Sequence, residues 1–148
     1  MKLTVQDLSA DDDVPDLEQI RHWAQVALDA DSERELTVRI VAESEMSELN
    51  SRYRHKEGPT NVLSFPFDGA PGVDTPFLGD IVICAPVVRR EAREQGKDVA
   101  AHWAHMVVHG VLHLRGYDHE NDVDAGQMEG LETRILTGIG FPAPYAQE

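Results

Sequence analysis

The sequence predicts an α+β domain: a small mixed β-sheet with helices packed on it and a central buried histidine-bearing helix. Strand and helix patterns are interspersed along the 148 residues without strict alternation. No glycine-rich loop follows a predicted strand, as a doubly wound nucleotide-binding fold would require. The segment 99–115 is apolar on nearly every side except for its histidines, which is typical of a buried helix.

The N-terminal part of the chain predicts two strands with a helix between them. Alternating residues at 3–8 and a β-branched run at 36–41 indicate the strands. Asp13 is expected to cap the helix, with Pro15 in its first turn, because apolar residues recur at helical spacing after it.

The middle of the chain predicts a short helix, a strand and a loop. Ser44 is expected to cap the helix, and the segment 60–67 has the pattern of a third strand. Pro66 cannot donate a hydrogen bond to a neighbouring strand, so it should lie at an edge or a bulge. The glycines and prolines of 68–76 predict a loop.

The C-terminal half predicts one buried strand and three helices. The apolar run 78–85 indicates a strand that is covered on both faces, and Pro86 should open the helix that follows. Asp98 is expected to cap the histidine-bearing helix 99–115. A final helix is expected over about 123–136.

Composition indicates one compact domain over residues 1–148. The net charge is -14, from 13 Lys and Arg against 27 Asp and Glu, which disfavours non-specific adhesion to polyanions or to an anionic membrane surface. The segment 52–56, Arg-Tyr-Arg-His-Lys, is a basic island on this acidic chain. A local basic site can still bind a nucleic acid.

Other features favour a cytoplasmic protein without a membrane partner. No stretch approaches the roughly 20 apolar residues of a membrane span, and the start MKLTVQDLSADDD lacks the pattern of a secretory signal. Cys84 is the only cysteine and lies in an apolar run, which predicts a buried core thiol rather than a metal ligand.

Three histidines predict a catalytic metal site. On a helix, His109 and His113 lie about 40° apart around the axis and roughly 6 Å apart along it, so their rings can meet at one ion. Gly116 can take a left-handed conformation and turn the chain, which would return His119 to the same ion. Three imidazoles leave the fourth position of a tetrahedral zinc ion open to solvent, as catalytic sites do. We therefore expect one zinc ion per chain.

Two further histidines precede these on the same helix. His105 and His113 lie about 12 Å apart along the axis, so they cannot share an ion. We choose the pair of His109 and His113 because Gly116 follows it. His102 and His105 are then expected to support the ligands or to lie at the surface.

The ligand spacing His-x3-His-x5-His also resembles the zinc motif of metzincin proteases. Those enzymes place a glutamate general base directly after the first histidine, where this chain has Gly110. Asp118, Glu120 and Asp122 could replace that base, but each can equally be a partner of the ligands or a solvated cap.

A second resemblance covers residues from about 36 to 136. It is carried by three blocks in order: PTNVLSFP at 59–66, LGDI at 78–81 and HGVLHLRGYDH at 109–119. With these blocks the chain resembles the YbeY family of bacterial endoribonucleases. The resemblance implies a zinc-dependent enzyme that cuts single-stranded RNA, matures the 3′ end of small-subunit ribosomal RNA and serves ribosome quality control. Its partners would be ribosomal RNA and the ribosome or ribosomal proteins.

The resemblance also implies an active-site role for Arg54, which lies shortly before the first block. The family often has Gly-Lys-Asp after this arginine, whereas this chain has His55, Lys56 and Glu57. A guanidinium can pair with two non-bridging oxygens of a phosphodiester and stabilise their charge. The expected catalytic residues are therefore Arg54, His109, His113 and His119, with either water or the ribose 2′-hydroxyl as the attacking oxygen.

Two other functions stay open on the sequence alone. A zinc-dependent amidase or peptidase is supported by the metzincin-like spacing. A non-catalytic ribosome-assembly factor, in which zinc fixes the fold and the acidic surface binds basic ribosomal proteins, would also have these residues.

Overall fold

A four-stranded mixed sheet forms the centre of the computed structural model, which describes residues 1–28, 33–67, 76–117 and 121–145. The spatial order of the strands is β1-β2-β4-β3. β1, β2 and β4 run parallel, and β3 is antiparallel to β4 at one edge. The strands are β1 (Lys2–Asp7), β2 (Glu35–Val41), β3 (Val62–Pro66) and β4 (Phe77–Cys84).

Within the described ranges, five helices cover the two faces of this sheet. They are α1 (Leu17–Leu28), α2 (Glu43–Arg54), α3 (Ala85–Glu94), α4 (Val99–Leu114) and α5 (Asp122–Gly138). The larger apolar core lies between the sheet and α1, α4 and α5, and a smaller one lies beneath α2. α4 packs against three helices and two strands, so the predicted central histidine helix and the α+β class are confirmed.

β4 is buried on both faces, as its apolar sequence predicts. Ile81 and Ile83 point into the larger core, whereas Val82 and Cys84 point into the smaller one. The thiol of Cys84 is fully buried, which confirms it as a core residue, and burial raises its pKa.

Both ends of α4 form as the sequence predicts. The Asp98 side chain accepts a hydrogen bond from the Ala100 amide at 3.3 Å, so it is the N-cap. At the other end, Gly116 has a φ of 100°, and the Tyr117 amide donates to the Leu112 carbonyl at 3.0 Å. This pattern ends a helix by reversing the chain and favours glycine at the left-handed position.

The starts of α1 and α2 differ from the prediction. Asp16, not Asp13, caps α1: its carboxylate accepts from the Gln19 amide, and the Gln19 side chain accepts from the Asp16 amide. This reciprocal pair is a capping box, which satisfies two otherwise free backbone donors. α2 begins one residue before Ser44, and its N-cap Ala42 provides no side-chain bond, so the prediction for Ser44 is also wrong.

Most of the predicted loop 68–76 falls on 68–75, which is outside the described residues. Among the helices in the described ranges, none combines the length and the apolar character needed to cross a membrane.

Candidate metal centre

His109 and His113 point their Nε2 atoms at each other from successive turns of α4. The two atoms lie 3.1 Å apart, and the ring centroids are 4.6 Å apart. Two imidazole nitrogens bound at 2.0 to 2.1 Å to one tetrahedral zinc ion would be separated by roughly 3.3 Å. The side chains of this pair therefore fit a shared metal ion without rearrangement of the helix.

The third predicted ligand, His119, lies outside the described residues. The turn that should return it to the site is nonetheless formed, because Gly116 adopts the left-handed conformation directly after α4. The structure thus brings two of the three predicted ligands together and gives no position for the third.

A buried carboxylate on α5 contacts the other side of the His109 ring. Oε1 of Glu132 accepts a hydrogen bond from Nδ1 of His109 at 3.0 Å, and Oε2 accepts from Nε2 of His105 at 2.5 Å. The hydroxyl of Tyr145 also donates to Oε2, at 2.7 Å. Glu132 is 0% exposed, so these contacts replace water around the carboxylate.

These contacts decide the protonation of the cluster. Burial opposes ionisation of Glu132, but the hydrogen bonds from His105 and His109 outweigh it and lower the pKa of the carboxyl to about 2. Burial and the adjacent carboxylate raise the pKa of Tyr145 above its ordinary value. Glu132 is therefore ionised at neutral pH, and Tyr145 keeps the proton that it donates.

Sequence reasoning missed Glu132, although the sequence contains a signal for it. Met128, Glu132 and Leu136 recur every four residues, and all three are buried on one face of α5. A glutamate in the middle of an apolar stripe must be paired, because an isolated buried carboxylate would be strongly unfavourable.

His105, His109 and Glu132 also form a group that could hold a metal ion, since their ligand atoms lie within 4.8 Å of one another. However, the 2.5 Å contact between His105 and Glu132 is a short hydrogen bond. Two ligands of one zinc ion would be roughly 3.3 Å apart at ordinary bond lengths. The described geometry is thus that of a carboxylate hydrogen-bonded to two histidines.

His102 is buried and belongs to a separate polar group. Its Nε2 atom hydrogen-bonds to Glu91 at 2.9 Å, and the same carboxylate accepts from the Asn61 side chain at 3.1 Å. His105 is buried as well, so of the two positions expected for these histidines the surface position is excluded for both. The expected supporting position holds for His105, which shares Glu132 with His109.

A pocket of about 490 Å³ opens beside the two converging imidazoles. It lies between β3, the C-terminal half of α4 and the end of α2. Polar side chains from all three regions line it, among them Arg54, Asn61, Ser64, His109, His113 and Tyr117. Arg54, His109 and His113 therefore line the same cavity, as the sequence predicts for residues of one site.

Arg54 is the last residue of α2 and is exposed to solvent. It forms no ion pair with any residue in the described ranges, whereas Arg52, two residues earlier, pairs with Glu48 at 3.2 Å. The neighbouring loop is held against α2 by Asn50, whose side chain donates to the Gly58 carbonyl at 2.8 Å. Arg54 thus lines the pocket from a helix end against which the neighbouring loop is held.

Gly110, which replaces the metzincin glutamate, packs directly on the sheet. A Cβ atom at this position would lie 2.8 Å from Cγ2 of Ile81. The Ser64 hydroxyl donates to the Gly110 carbonyl at 3.2 Å, which joins β3 to α4 at the same point. A glutamate here could not reach the pocket. Of the alternative bases, Asp118 and Glu120 lie outside the described residues, and Asp122 is an exposed residue in the first turn of α5.

A solved structure and a family model are similar to this chain. The solution structure of TM1509 from Thermotoga maritima is similar, with a TM-score of 0.64 and 28% sequence identity, over 92% of this chain and 89% of that one. The family model described as "Endoribonuclease YbeY" matches residues 5–140. This match supports an endoribonuclease that acts in ribosomal RNA processing and depends on a metal ion. The chain belongs to the YbeY family of endoribonucleases.

Proposed function

We propose that the protein is a zinc-dependent endoribonuclease, formed by a single domain over residues 1–148, that cuts single-stranded RNA in the cytoplasm. Its role would be maturation of the 3′ end of small-subunit ribosomal RNA and quality control of ribosomes, in contact with the ribosome or its proteins. One observation carries the proposal: the Nε2 atoms of His109 and His113 converge at 3.1 Å in a pocket that Arg54 also lines.

In this proposal His109, His113 and His119 hold one zinc ion. Imidazole nitrogens suit zinc, and three of them leave one position open for substrate or solvent. When bound, the ion supplies Lewis-acid chemistry, which polarises a phosphoryl oxygen and assists a nucleophile. The hydrogen bond from Nδ1 of His109 to Glu132 supports these three ligands, because it directs Nε2 of His109 towards Nε2 of His113.

Arg54 binds the scissile phosphodiester in this account. Cleavage concentrates negative charge on the non-bridging oxygens, and a planar guanidinium can donate to two of them at once. Because Arg54 forms no ion pair with a described residue, binding of a phosphate would not compete with such a pair, as it would at Arg52. The basic island 52–56 would also attract RNA locally, although the whole chain has a net charge of -14.

Cleavage of a fluorescent single-stranded RNA tests the proposal. We expect cleavage by the zinc-loaded protein, loss with a chelator and restoration by zinc. His113→Ala should abolish cleavage, whereas His22→Ala, which removes an exposed histidine of α1, should leave it unchanged.

The same preparation separates the two alternatives. Hydrolysis of peptides, lost in His113→Ala, with no cleavage of RNA would show an amidase or peptidase. Folded, zinc-loaded protein that cuts neither free RNA nor the RNA of ribosomal particles would show a non-catalytic assembly factor. Either result would overturn the proposed endoribonuclease activity.

A further inference from the structure

We propose that Glu132 and Tyr145 are positioning residues of the metal centre, so that the C-terminal segment after α5 helps to hold the His109 ring ready for the ion. This inference rests on the proposed metal site at His109 and His113. It concerns a segment whose sequence, Phe-Pro-Ala-Pro-Tyr, contains no metal-binding pattern of its own.

The hydrogen bond to Glu132 determines the tautomer and the orientation of the His109 ring. Its Nδ1 atom donates to Oε1 of Glu132 at 3.0 Å, which places the proton on Nδ1 and leaves the lone pair on Nε2. The same bond fixes the rotation of the ring, so that Nε2 points at Nε2 of His113. A carboxylate that holds a metal-binding histidine in this way also increases the basicity of the ligand.

The Glu132 carboxylate is itself held in place by two further hydrogen-bond donors. Oε2 of Glu132 accepts from both Tyr145 and His105, so both oxygens are fixed and the group cannot turn away from His109. The Tyr145 ring packs edge-on against the His105 ring, with centroids 5.2 Å apart and an interplanar angle of 88°. Removal of one donor would therefore loosen a carboxylate that is fully buried.

A ring contact and a hydrogen bond hold the segment that brings Tyr145 to Glu132. It leaves α5 and passes α1, where Phe141 packs edge-on against Trp23, with centroids 6.0 Å apart. Beyond that point, Nζ of Lys97 donates to the Pro144 carbonyl at 2.9 Å, one residue before Tyr145. Tyr145 remains 44% exposed, so its hydroxyl can be removed with little loss of packing.

Measurement of Zn²⁺ affinity tests the inference without any RNA. The affinity of the 148-residue protein is measured by competition with a chromogenic chelator at fixed pH. We expect Tyr145→Phe to weaken binding about 3- to 10-fold and Glu132→Gln about 10- to 100-fold, as loss of partners to metal-binding histidines does. The control is Thr133→Val, which removes an exposed hydroxyl that donates to the Glu129 carbonyl on the same helix.

Lys97→Met provides a second perturbation that does not touch Glu132. It removes the bond to Pro144 but keeps most of the side-chain stem. Loss of a positive charge would by itself favour a bound cation. Weaker Zn²⁺ binding by this variant would therefore report release of the C-terminal segment.

Absorption spectra of the Co²⁺-substituted protein provide a readout of the metal geometry itself. We expect altered spectra for Tyr145→Phe and Glu132→Gln and an unchanged spectrum for Thr133→Val. Unchanged zinc affinity and spectra in Tyr145→Phe, which should fold normally, would overturn the inference even if the wild type cleaves RNA. Conversely, weaker zinc binding in a protein without RNase activity would support the inference and contradict the proposed function.

Discussion

Ile81 occupies the space that a side chain at Gly110 would need. A Cβ atom at Gly110 would lie 2.8 Å from Cγ2 of Ile81, where α4 packs against β4. His109 and His113 therefore lie on a helix that packs against the sheet at Gly110, one residue after His109. This packing explains why the chain has glycine where a metzincin has its base.

Gly110→Ala should destabilise the protein through this contact. Overpacking of a filled core costs about 1 to 3 kcal/mol. Gly130→Ala is the matched control, because Gly130 is also helical but nothing lies within 4 Å of its Cβ position. Urea unfolding should show Gly110→Ala less stable than Gly130→Ala by about 1 to 3 kcal/mol, allowing for the equal gain in helix propensity. Equal stability of the two variants would contradict the close packing.

Arg54→Ala should lower kcat for RNA cleavage by about 10²-fold, the usual effect of losing one donor to developing charge. Arg52→Ala is the control, since Arg52 belongs to the same basic island but pairs with Glu48 and does not line the pocket. Steady-state kinetics at fixed salt would compare the two. Equal losses in both variants would show that the island acts only by its general charge.

Asp16→Ala should destabilise the protein by about 0.5 to 2 kcal/mol, the range for loss of an N-cap. Asp13→Ala should change stability by less than about 0.5 kcal/mol, as exposed substitutions do. Thermal or urea unfolding of both variants checks the observed start of α1. If Asp13→Ala lost more stability than Asp16→Ala, α1 would start at Asp13, as the sequence alone predicts, and the observed start would be contradicted.

Glu91→Gln should reduce stability in a pH-dependent way. Burial opposes ionisation of Glu91, but hydrogen bonds from His102 and Asn61 outweigh it and lower the pKa of the carboxyl. A carboxyl with a lowered folded-state pKa stabilises the protein above its unfolded-state pKa, and this contribution is lost as pH falls through the folded-state value.

Unfolding in urea at pH 7 and at successively lower pH would measure this effect. At pH 7 the free energy of unfolding of the wild type should exceed that of Glu91→Gln by about 1 kcal/mol. This difference in stability should become smaller as the pH falls below the ordinary pKa of a glutamate. Glu94→Gln, an exposed change on the same helix, should show no such trend. A difference that grows on acidification would contradict the assignment.

The parts of the fold that follow from the sequence are those with one dominant local pattern. β4 and α4 are long, apolar and bounded by clear signals, and Asp98 caps α4 as expected. The start of α1 was predicted wrongly at Asp13, because no single local pattern marks it. Only the reciprocal bonds between Asp16 and Gln19 identify the one that the chain uses.

The candidate site likewise contains one contact that follows from the sequence and others that do not. Helix geometry alone places the side chains of His109 and His113 next to each other on α4, so their spacing was sufficient to predict that the two rings lie close together. Glu132 reaches His109 from a different helix, and Tyr145 reaches Glu132 from the segment beyond it. These contacts depend on how α5 packs against α4, which no local pattern specifies.

We expect His109 and His113 to bind one metal ion through their Nε2 atoms. Anomalous diffraction at the zinc absorption edge, from crystals of the zinc-loaded protein, tests it most directly. The account predicts one peak about 2.0 to 2.1 Å from both Nε2 atoms, with Glu132 still hydrogen-bonded to Nδ1 of His109. A peak between His105 and Glu132, or one that His113 does not contact, would contradict it.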